Sequence, residues 1–486
     1  MIDHRNIRPA QRRMLIIALM TSTFMAAIEV TVISTVMPNI VGKLGGFDLF
    51  SWAFSLYLLA QGVMTPIYGR LADLFGRKRT YIGACLLFLI GSTLCGFAQT
   101  MPMLIAFRGL QGLGAGGLSP IASTIMADIS APKDRPRNVG WISSIYGVAA
   151  VAGPLAGAAL VDFGWQWIFW MNIPFGILAI ALVFMHLNET LPEHGHGVDL
   201  PGAALLLIGA GALMLLLTQH GTMSAGAIIG TLALALVALA ALALQQSRAA
   251  APLVPLHFYR NPMIMTGFGF GLSTGAYIIA LTAFLPTYIQ GVLGGTPLDG
   301  GLTLAYMMAT WTVGSMAGGR VIARLPYRAT ALLGTCLLLL GALGPATLNP
   351  TQDPVWIRIG CVLIGIGVGL ANITFTVAIQ ASVDWSDRGR ATSLYFFSRI
   401  LGQALGAAAF GGLLNAGMGL TGTGDDPVAD LMNPAIRDSL PAPDRAGLVT
   451  LLDHALHNVY LATFAVAALV VLLALMLPRG ARMQRG

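Results

Sequence analysis

The sequence predicts an all-α polytopic membrane protein, with two related six-helix bundles and two further helices inserted between them, fourteen spans in all. Three observations carry this. The 486-residue chain is 56% hydrophobic and only 10% charged, against roughly 25% in an ordinary soluble domain. Its apolar runs reach the roughly 20 residues that carry a helix across a bilayer, and they do not alternate with period two as membrane strands do. Finally, segments of the first half recur in the second at a spacing of 248 to 253 residues.

A mean hydropathy of +0.76 makes lipid the natural solvent. In lipid the backbone must satisfy its own hydrogen bonds, which leaves helices once strand alternation is excluded. The net charge is +7 and the pI about 9.4. Lys and Arg are scattered between apolar runs, so this balance speaks for membrane orientation and against nucleic acid as a partner. Cys85, Cys95, Cys336 and Cys361 lie inside apolar runs without metal-ligand spacing and read as small apolar helix residues. The first run, from Met14, is too long for a cleavable signal and is expected to stay as the first helix.

The spans fall near 14–37, 50–69, 80–99, 103–127, 138–160, 167–187, 200–218, 225–245, 264–289, 300–323, 329–347, 356–380, 391–416 and 456–477. An even number puts both ends on one side, and charge says which. With the N-terminus in the cytoplasm, the cytoplasmic segments hold Arg5, Arg8, Arg12 and Arg13; Arg70, Arg77, Lys78 and Arg79; Lys133, Arg135 and Arg137; Arg248 and Arg260; Arg320, Arg324 and Arg328; Arg388 and Arg390; and Arg479, Arg482 and Arg485. That is most of the 27 basic residues. The opposite side keeps Lys43, Arg358, Arg437 and Arg445 beside Asp48, Asp162, Asp299, Asp353 and an acid-rich loop, 417–455, with Asp425, Asp426, Asp430, Asp438, Asp444 and Asp453. The positive-inside rule therefore supports fourteen spans with both termini cytoplasmic.

Gly69-Arg70-Leu-Ala-Asp73-Leu-Phe-Gly76-Arg77-Lys78-Arg79 is echoed by the segment from Gly319 to Arg328, 250 residues on. Gly112, Gly114 and Gly116 recur as Gly365, Gly367 and Gly369, 253 on. Asp134-Arg135-x-Arg137 recurs as Asp387-Arg388-x-Arg390, and Gly153 as Gly406, at the same offset; Pro38 is echoed by Pro286. The expected divisions are an N-terminal bundle, 1–190; two inserted helices with linkers, 191–260; and a C-terminal bundle, 261–486, carrying the 417–455 loop on the periplasmic side. Both halves begin on the cytoplasmic side, so the repeats are parallel and the site is expected between them near mid-membrane.

The motifs on these spans resemble those of the major facilitator superfamily, specifically its fourteen-helix drug:proton antiporter branch. They are the Gly69–Arg79 loop, Arg108-Gly-Leu-Gln111-Gly112-Leu-Gly114 on the fourth span, and Gly147-x5-Gly153-Pro154-x2-Gly157 on the fifth. To these are added Glu29-x-Thr31 running to Pro38, and Trp165-Gln-Trp167-Ile-Phe-Trp170-Met-Asn172-Ile-Pro174-Phe-Gly176. The branch often has Asp where Glu29 stands. The second loop copy has Ala323 and Pro326 where the first has Asp73 and Gly76, so only the first is expected to act as a charged latch. The resemblance implies the major facilitator fold and drug export against protons.

Glu29 is the one carboxylate deep inside a span, and an ionised acid there must face protein or water, which marks it as functional. At ~1.5 Å per residue, Glu29 stands ~22 Å above the inner face and Arg108 ~9 Å below the outer, nearly level in a core ~30 Å thick. Arg108 is thus a partner for Glu29, with helix-carbonyl binding as the structural alternative. The resemblance implies that the two move the coupled proton. Gly69, Arg70, Asp73, Gly76, Arg77, Lys78 and Asp128 form a second group at the cytoplasmic ends, which the resemblance implies is a gate; the basic residues also anchor orientation. Gly147, Gly153, Pro154 and Gly157 serve close helix packing and bending, and export as the direction of transport follows from the resemblance alone. Tyr57, Gln61, Tyr277, Trp311, Asn372, Gln380 and Tyr395 are polar or aromatic residues in mid-span and candidate cavity walls, each equally suited to packing; Tyr277 matches Glu29 in the second half. Arg399 is expected at the inner vestibule.

His186, Glu189, Glu193, His194, His196 and Asp199 are read as a solvated linker rather than a metal site. The 417–455 loop has room for a short amphipathic helix. No P-loop and no nucleophile–base pattern occur, so the chain is expected to be no enzyme, to use no cofactor, and to draw on the proton gradient. The expected partners are a small-molecule substrate, protons and the bilayer of the bacterial inner membrane, and the expected state is a monomer. The rival to a drug exporter is an exporter of fatty acids, lipids or a cell-made metabolite that hands its cargo to a periplasmic adaptor. A third reading is a transport-fold scaffold that moves nothing.

Overall fold

The computed structural model describes residues 8–130, 135–189, 199–219, 221–249, 252, 258, 260–350, 355–384, 387–419, 427–432, 434–437 and 439–478. Arg5, Lys133, Asp134, Glu193, His194, His196, Asp353, Asp425, Asp426, Asp438, Arg479, Arg482 and Arg485 lie outside them. Among the described residues the only regular structure is helix. In chain order it runs α1 (Pro9–Leu44), a 3-10 turn (Phe47–Leu49), α2 (Phe50–Phe75), α3 (Arg77–Gly96), α4 (Met101–Ile129), α5 (Arg135–Val161), α6 (Trp167–Trp170), α7 (Asn172–His186), α8 (Leu200–Gln219) and α9 (Ala225–Arg248). It continues with α10 (Pro262–Gly291), α11 (Pro297–Ile322), α12 (Tyr327–Ala346), α13 (Val355–Ala381), α14 (Arg388–Met418), α15 (Pro427–Met432), α16 (Pro434–Arg437) and α17 (Ala442–Leu475).

Every expected span falls on a helix of this series. Among the described residues eleven helices are long and apolar enough to cross a membrane, with α6 and α7 taken together. In α4 and α11 glycine, serine and threonine dilute the apolar run. The starts are written locally. Thr100 caps α4 by accepting from the Met103 N–H at 3.4 Å, with Pro102 in the first turn. Asn261 caps α10 by accepting from Met263 N at 2.9 Å. Thr296 and Asp299 form a reciprocal capping box on α11. Gly76, at φ 86°, makes the sharp entry to α3, a conformation that side chains with a Cβ rarely adopt.

Two compact units divide the chain. Unit 1 comprises Met1–Val36, Trp52–Leu213 and Gly230–Leu253; unit 2 comprises Met37–Ser51, Met214–Ile229 and Val254–Gly486. Within unit 1 the stem of the bundle is a buried cluster of Leu15, Leu19, Tyr68, Tyr81, Ile125 and Val183, drawn from α1, α2, α3, α4 and α7.

The repeat is visible in how glycines meet their neighbours. In unit 1 a Cβ on Gly112 would strike Tyr57 and Ala60, one on Gly114 would strike Ala84 and Phe88, and one on Gly116 would strike Gln61, Met64 and Thr65. In unit 2 Gly365 faces Met307 and Thr310, Gly367 faces Gly334 and Leu338, and Gly369 faces Trp311, Gly314 and Ser315. Every partner is displaced by 250 residues and every glycine by 253. So α2 and α3 lie on α4 in the register in which α11 and α12 lie on α13, at backbone distance, as small residues permit. Helices α3 and α12 begin and end 250 residues apart.

Helices α1 and α2 run past their expected ends at 37 and 69, to Leu44 and Phe75, and the largest departure is at the start of the last span. Helix α17 starts at Ala442, inside the stretch read as loop 417–455, and two short helices, α15 and α16, precede it. Asp444, Asp453 and His454 lower the hydropathy of residues 442–455, yet Leu452, Ala455 and Leu456 bury one face of the turn. The helix therefore continues beyond its apolar part, at 34 residues far longer than a bilayer requires.

Candidate functional site

In unit 1 Glu29 and Arg108 are 3% and 1% exposed. Arg108 donates through Nη1 to Glu29 Oε1 at 2.6 Å and to Gln111 Oε1 at 2.8 Å, and through Nε to the Ala53 carbonyl at 3.3 Å. Its guanidinium carbon lies 3.9 Å from the centre of the Tyr57 ring, a cation–π stack in a dry setting. The other carboxylate oxygen, Oε2, accepts from Asn172 Nδ2 at 2.7 Å. Asn172 also donates to Ser92 Oγ at 3.0 Å, and Ser92 donates to the Phe169 carbonyl at 2.9 Å. Five helices thus supply the shell: α1, α2, α3, α4 and α7.

A charge pair buried this deeply persists only when both members are hydrogen-bonded, and here both are. Glu29 is the single negative charge in the cluster among the described residues. A proton added to it would leave Arg108 as a cation held by two neutral oxygens and a ring. The equivalent of Arg108 in unit 2 is Cys361, 253 residues on, fully buried and within electrostatic reach of Tyr277. The second copy has the same glycine scaffold, with a phenol and a thiol where the first has the charged pair.

At the far end of α3, Arg77 forms an ion pair with Asp128 of α4. Asp73 faces Arg70 at 3.8 Å on an exposed helical turn and lies within electrostatic reach of Arg77. Gly76 is buried and Gly69 exposed. Glu189, read from sequence as part of a solvated linker, instead accepts from the backbone N–H groups of Arg77 and Lys78, both at 3.0 Å. Those are two of the donors a helix start leaves unpaired. Lys78 Nζ donates to the Phe184 carbonyl at 2.6 Å and stands 5.0 Å from the Phe184 ring centre. The end of the sixth span is therefore clamped to the loop motif. Among the described residues no group of His, Cys, Asp and Glu is arranged to hold a metal ion.

On α5, Gly153 lies so close to Thr31 of α1 that a Cβ would overlap its hydroxyl, and a Cβ on Gly157 would stand 3.1 Å from Val36. The Thr31 hydroxyl reaches the Ala149 carbonyl at 3.3 Å, four residues before Gly153. Gly147 and Pro154 lie on the same helix. The motif thus fixes α5 to α1 within two residues of Glu29.

The cavity candidates separate. Tyr57 belongs to the Arg108 stack. Gln61 is half-buried and its carbonyl takes the Thr65 hydroxyl. Tyr277 is fully buried in α10. In unit 2 Tyr395 donates to Asn372 Oδ1 at 2.9 Å, and Trp311 lies 5.8 Å from the Arg399 guanidinium. Gln380 Nε2 donates to Thr392 at 3.1 Å, near the ends of α13 and α14. Sequence reasoning gave no role to Asn172, Gln111, Ser92 or Glu189. Asn172 and Gln111 stood inside quoted motifs and were signals of a kind; Ser92 carried none.

The family model of the Major Facilitator Superfamily matches residues 19–407. The chain is 32% identical over 414 residues to Multidrug resistance protein 3 of Bacillus subtilis (strain 168), covering 84% of this chain and 81% of that one. It is 31% identical over 441 residues to Multidrug transporter protein MdtP of the same organism, covering 90% and 80%. Among solved structures it is similar to an auto-inhibited POT family peptide transporter, with a TM-score of 0.64 over 98% of this chain and 99% of that one, at 16% identity, which is a likeness of fold. The match across most of the length agrees with the duplicated helical units and the motifs they carry: the chain belongs to the Major Facilitator Superfamily and is a multi-pass membrane transporter, not an enzyme.

Proposed function

We propose that the protein is a proton-coupled exporter of small lipophilic or cationic compounds, working by alternating access in a bacterial inner membrane with both termini in the cytoplasm. The observation that carries this is the Glu29–Arg108 pair, a carboxylate–guanidinium contact buried in unit 1. The names of the two Bacillus subtilis relatives favour drug-like cargo. A proton arriving from outside binds Glu29, cancels its charge and releases Arg108 from it. Each state then favours a different arrangement of the helices that hold the pair, and the gradient biases the equilibrium between them. The Arg77–Asp128 pair acts as a cytoplasmic latch, closed in one arrangement and parted in the other. No cofactor takes part; the inward proton gradient is the energy source.

The test is ethidium and quaternary-ammonium accumulation in an efflux-deficient bacterial strain, with and without an uncoupler, followed by reconstitution in liposomes under an imposed pH gradient. Expression should lower accumulation, the uncoupler should restore it, and Glu29→Gln should abolish pH-driven transport. Proton-coupled efflux undiminished in Glu29→Gln would remove Glu29 from the mechanism. Liposomes in which no compound and no proton moves would overturn the reading.

A further inference from the structure

Asn172 is the first residue of α7, separated from the end of α6 by Met171, whose φ of −59° and ψ of −23° keep the sixth span helical through this junction. It is 0% exposed. Its Nδ2 donates both to Glu29 Oε2 and to Ser92 Oγ, while its Oδ1, equally buried, meets no hydrogen-bond partner. Ser92 in turn donates to the carbonyl of Phe169 in α6. Three consecutive hydrogen bonds therefore join the carboxylate on α1 to the Phe169 carbonyl of α6, passing through Asn172 and through Ser92 of α3. The α6–α7 junction is itself held firmly: Trp170 Nε1 donates to the Thr93 carbonyl at 3.3 Å, and a Cβ on Gly96 would overlap the Trp170 ring.

We propose that Asn172 is a positioning residue whose amide turns over when Glu29 takes up its proton, relaying that event to the α6–α7 junction. The proposal rests on Glu29 as the coupling group. A hydronium ion gives its proton to Oε2 and leaves as water; the carboxylate becomes a carboxylic acid with one new O–H bond. That O–H and the Nδ2–H of Asn172 are both donors and cannot face each other. A half-turn about the terminal torsion of Asn172, which is broad and roughly two-fold, brings the unpartnered Oδ1 round to accept the new O–H. The same turn carries Nδ2 away from Ser92 and leaves the Ser92–Phe169 tie without its other end.

The groups that face Glu29 are Arg108 and Gln111 from α4, Asn172 from α7 and Cys95 from α3, the last within electrostatic reach. Tyr57 of α2 faces it through Arg108, and α5 meets α1 through Ala149 and Gly153, neither titratable. Arg108 is the charged one among the described residues.

The experiment uses the purified full-length protein in detergent and needs no substrate. Two signals are followed against pH: the infrared carboxylic-acid band that Glu29→Gln abolishes, and the part of the tryptophan emission change that Trp170→Phe abolishes. In the parent protein the two share one midpoint. Asn172→Ala removes a bond from both forms of Glu29, and because the one to the charged form is the stronger the carboxyl midpoint should rise by about half to one pH unit, while the Trp170 signal should uncouple from it. Ser92→Ala keeps the Asn172–Glu29 bond, so the carboxyl midpoint should stay while the Trp170 signal is lost. It also serves if Asn172→Ala fails to fold. A Trp170 signal that still follows the carboxyl in both variants overturns the relay, and so does a midpoint indifferent to Asn172. A Glu29→Gln protein that loses no carboxyl band shows that Glu29 does not titrate, and then the coupling reading falls with this one.

Discussion

Arg108→Leu isolates the term on which the buried pair depends. The substitution takes from Glu29, 3% exposed in the parent, its only counter-charge among the described residues. Breaking a buried pair from one side costs about 3–5 kcal/mol. A single transition of a chain this large moves by ~1–2 °C per kcal/mol, extrapolating from smaller domains, so the melting temperature should fall by roughly 3–10 °C. Glu29→Gln should cost less. Arg108 keeps Gln111 Oε1 at 2.8 Å and the Ala53 carbonyl at 3.3 Å, and the new amide oxygen can still accept. The double variant has no stranded charge, and its loss should fall short of the sum of the singles by about 2–3 kcal/mol. Thermal unfolding of the four detergent-purified proteins completes the cycle. Acid supplies a further sign: the deficit of Arg108→Leu should shrink as pH falls, because a proton on Glu29 removes the unpaired charge, whereas the double variant should show no such recovery. Additive losses, or a deficit indifferent to pH, would refute the pairing argument.

Three further outcomes follow from the geometry. Gly114→Ala places a Cβ 2.7 Å from the Ala84 carbonyl, and Gly367→Ala meets the matching backbone of α12. Each should destabilise by about 1–3 kcal/mol in thermal unfolding, while Gly69→Ala, with nothing within 4 Å, should be neutral or stabilising. Asp128→Asn and Glu189→Ala act on the same latch by different routes. The first should slow transport at unchanged protein level; the second should also lower stability by about 1–2 kcal/mol through two uncapped N–H groups, read by transport and melting side by side. Asp299 is held below its ordinary value of 3.8 by its side-chain hydrogen bond with Thr296, then by the Thr296 backbone N–H. Its contribution to the α11 cap is therefore complete above that ordinary value and disappears as pH falls through the lowered one. Asp299→Ala should cost about 1 kcal/mol at neutral pH and nothing in strong acid, compared by unfolding at the two pH values.

The sequence carried the fold a long way because packing here is written in glycine. Gly112, Gly114 and Gly116 recur at a fixed spacing, and each marks a backbone contact that no other residue type allows, so the spacing is itself structural. The height of Glu29 and Arg108 follows from helical rise alone. What could not be seen depends on which neighbours the folded chain brings to a side chain. Asn172 meets Glu29 of α1 and Ser92 of α3, and hydropathy is blind to which way a polar residue of a span faces. Glu189 lies in polar sequence, and only the return of the chain to α3 turns it into a cap. Low hydropathy around Asp453 predicts a loop, yet the residue sits on α17 and accepts from the Tyr288 hydroxyl at 2.9 Å.

The glycine joints also bear on how such a protein changes over time. A contact made by backbone against backbone asks nothing of the residues on either side. Tyr277 and Cys361 make the point: one copy of the framework holds neutral groups where the other holds an acid and a base, and α11, α12 and α13 interlock in the register of α2, α3 and α4. Even where a candidate cavity residue such as Tyr57, Gln61 or Trp311 takes part in a seam, it does so through its carbonyl, so its side chain can be exchanged without unpicking the joint.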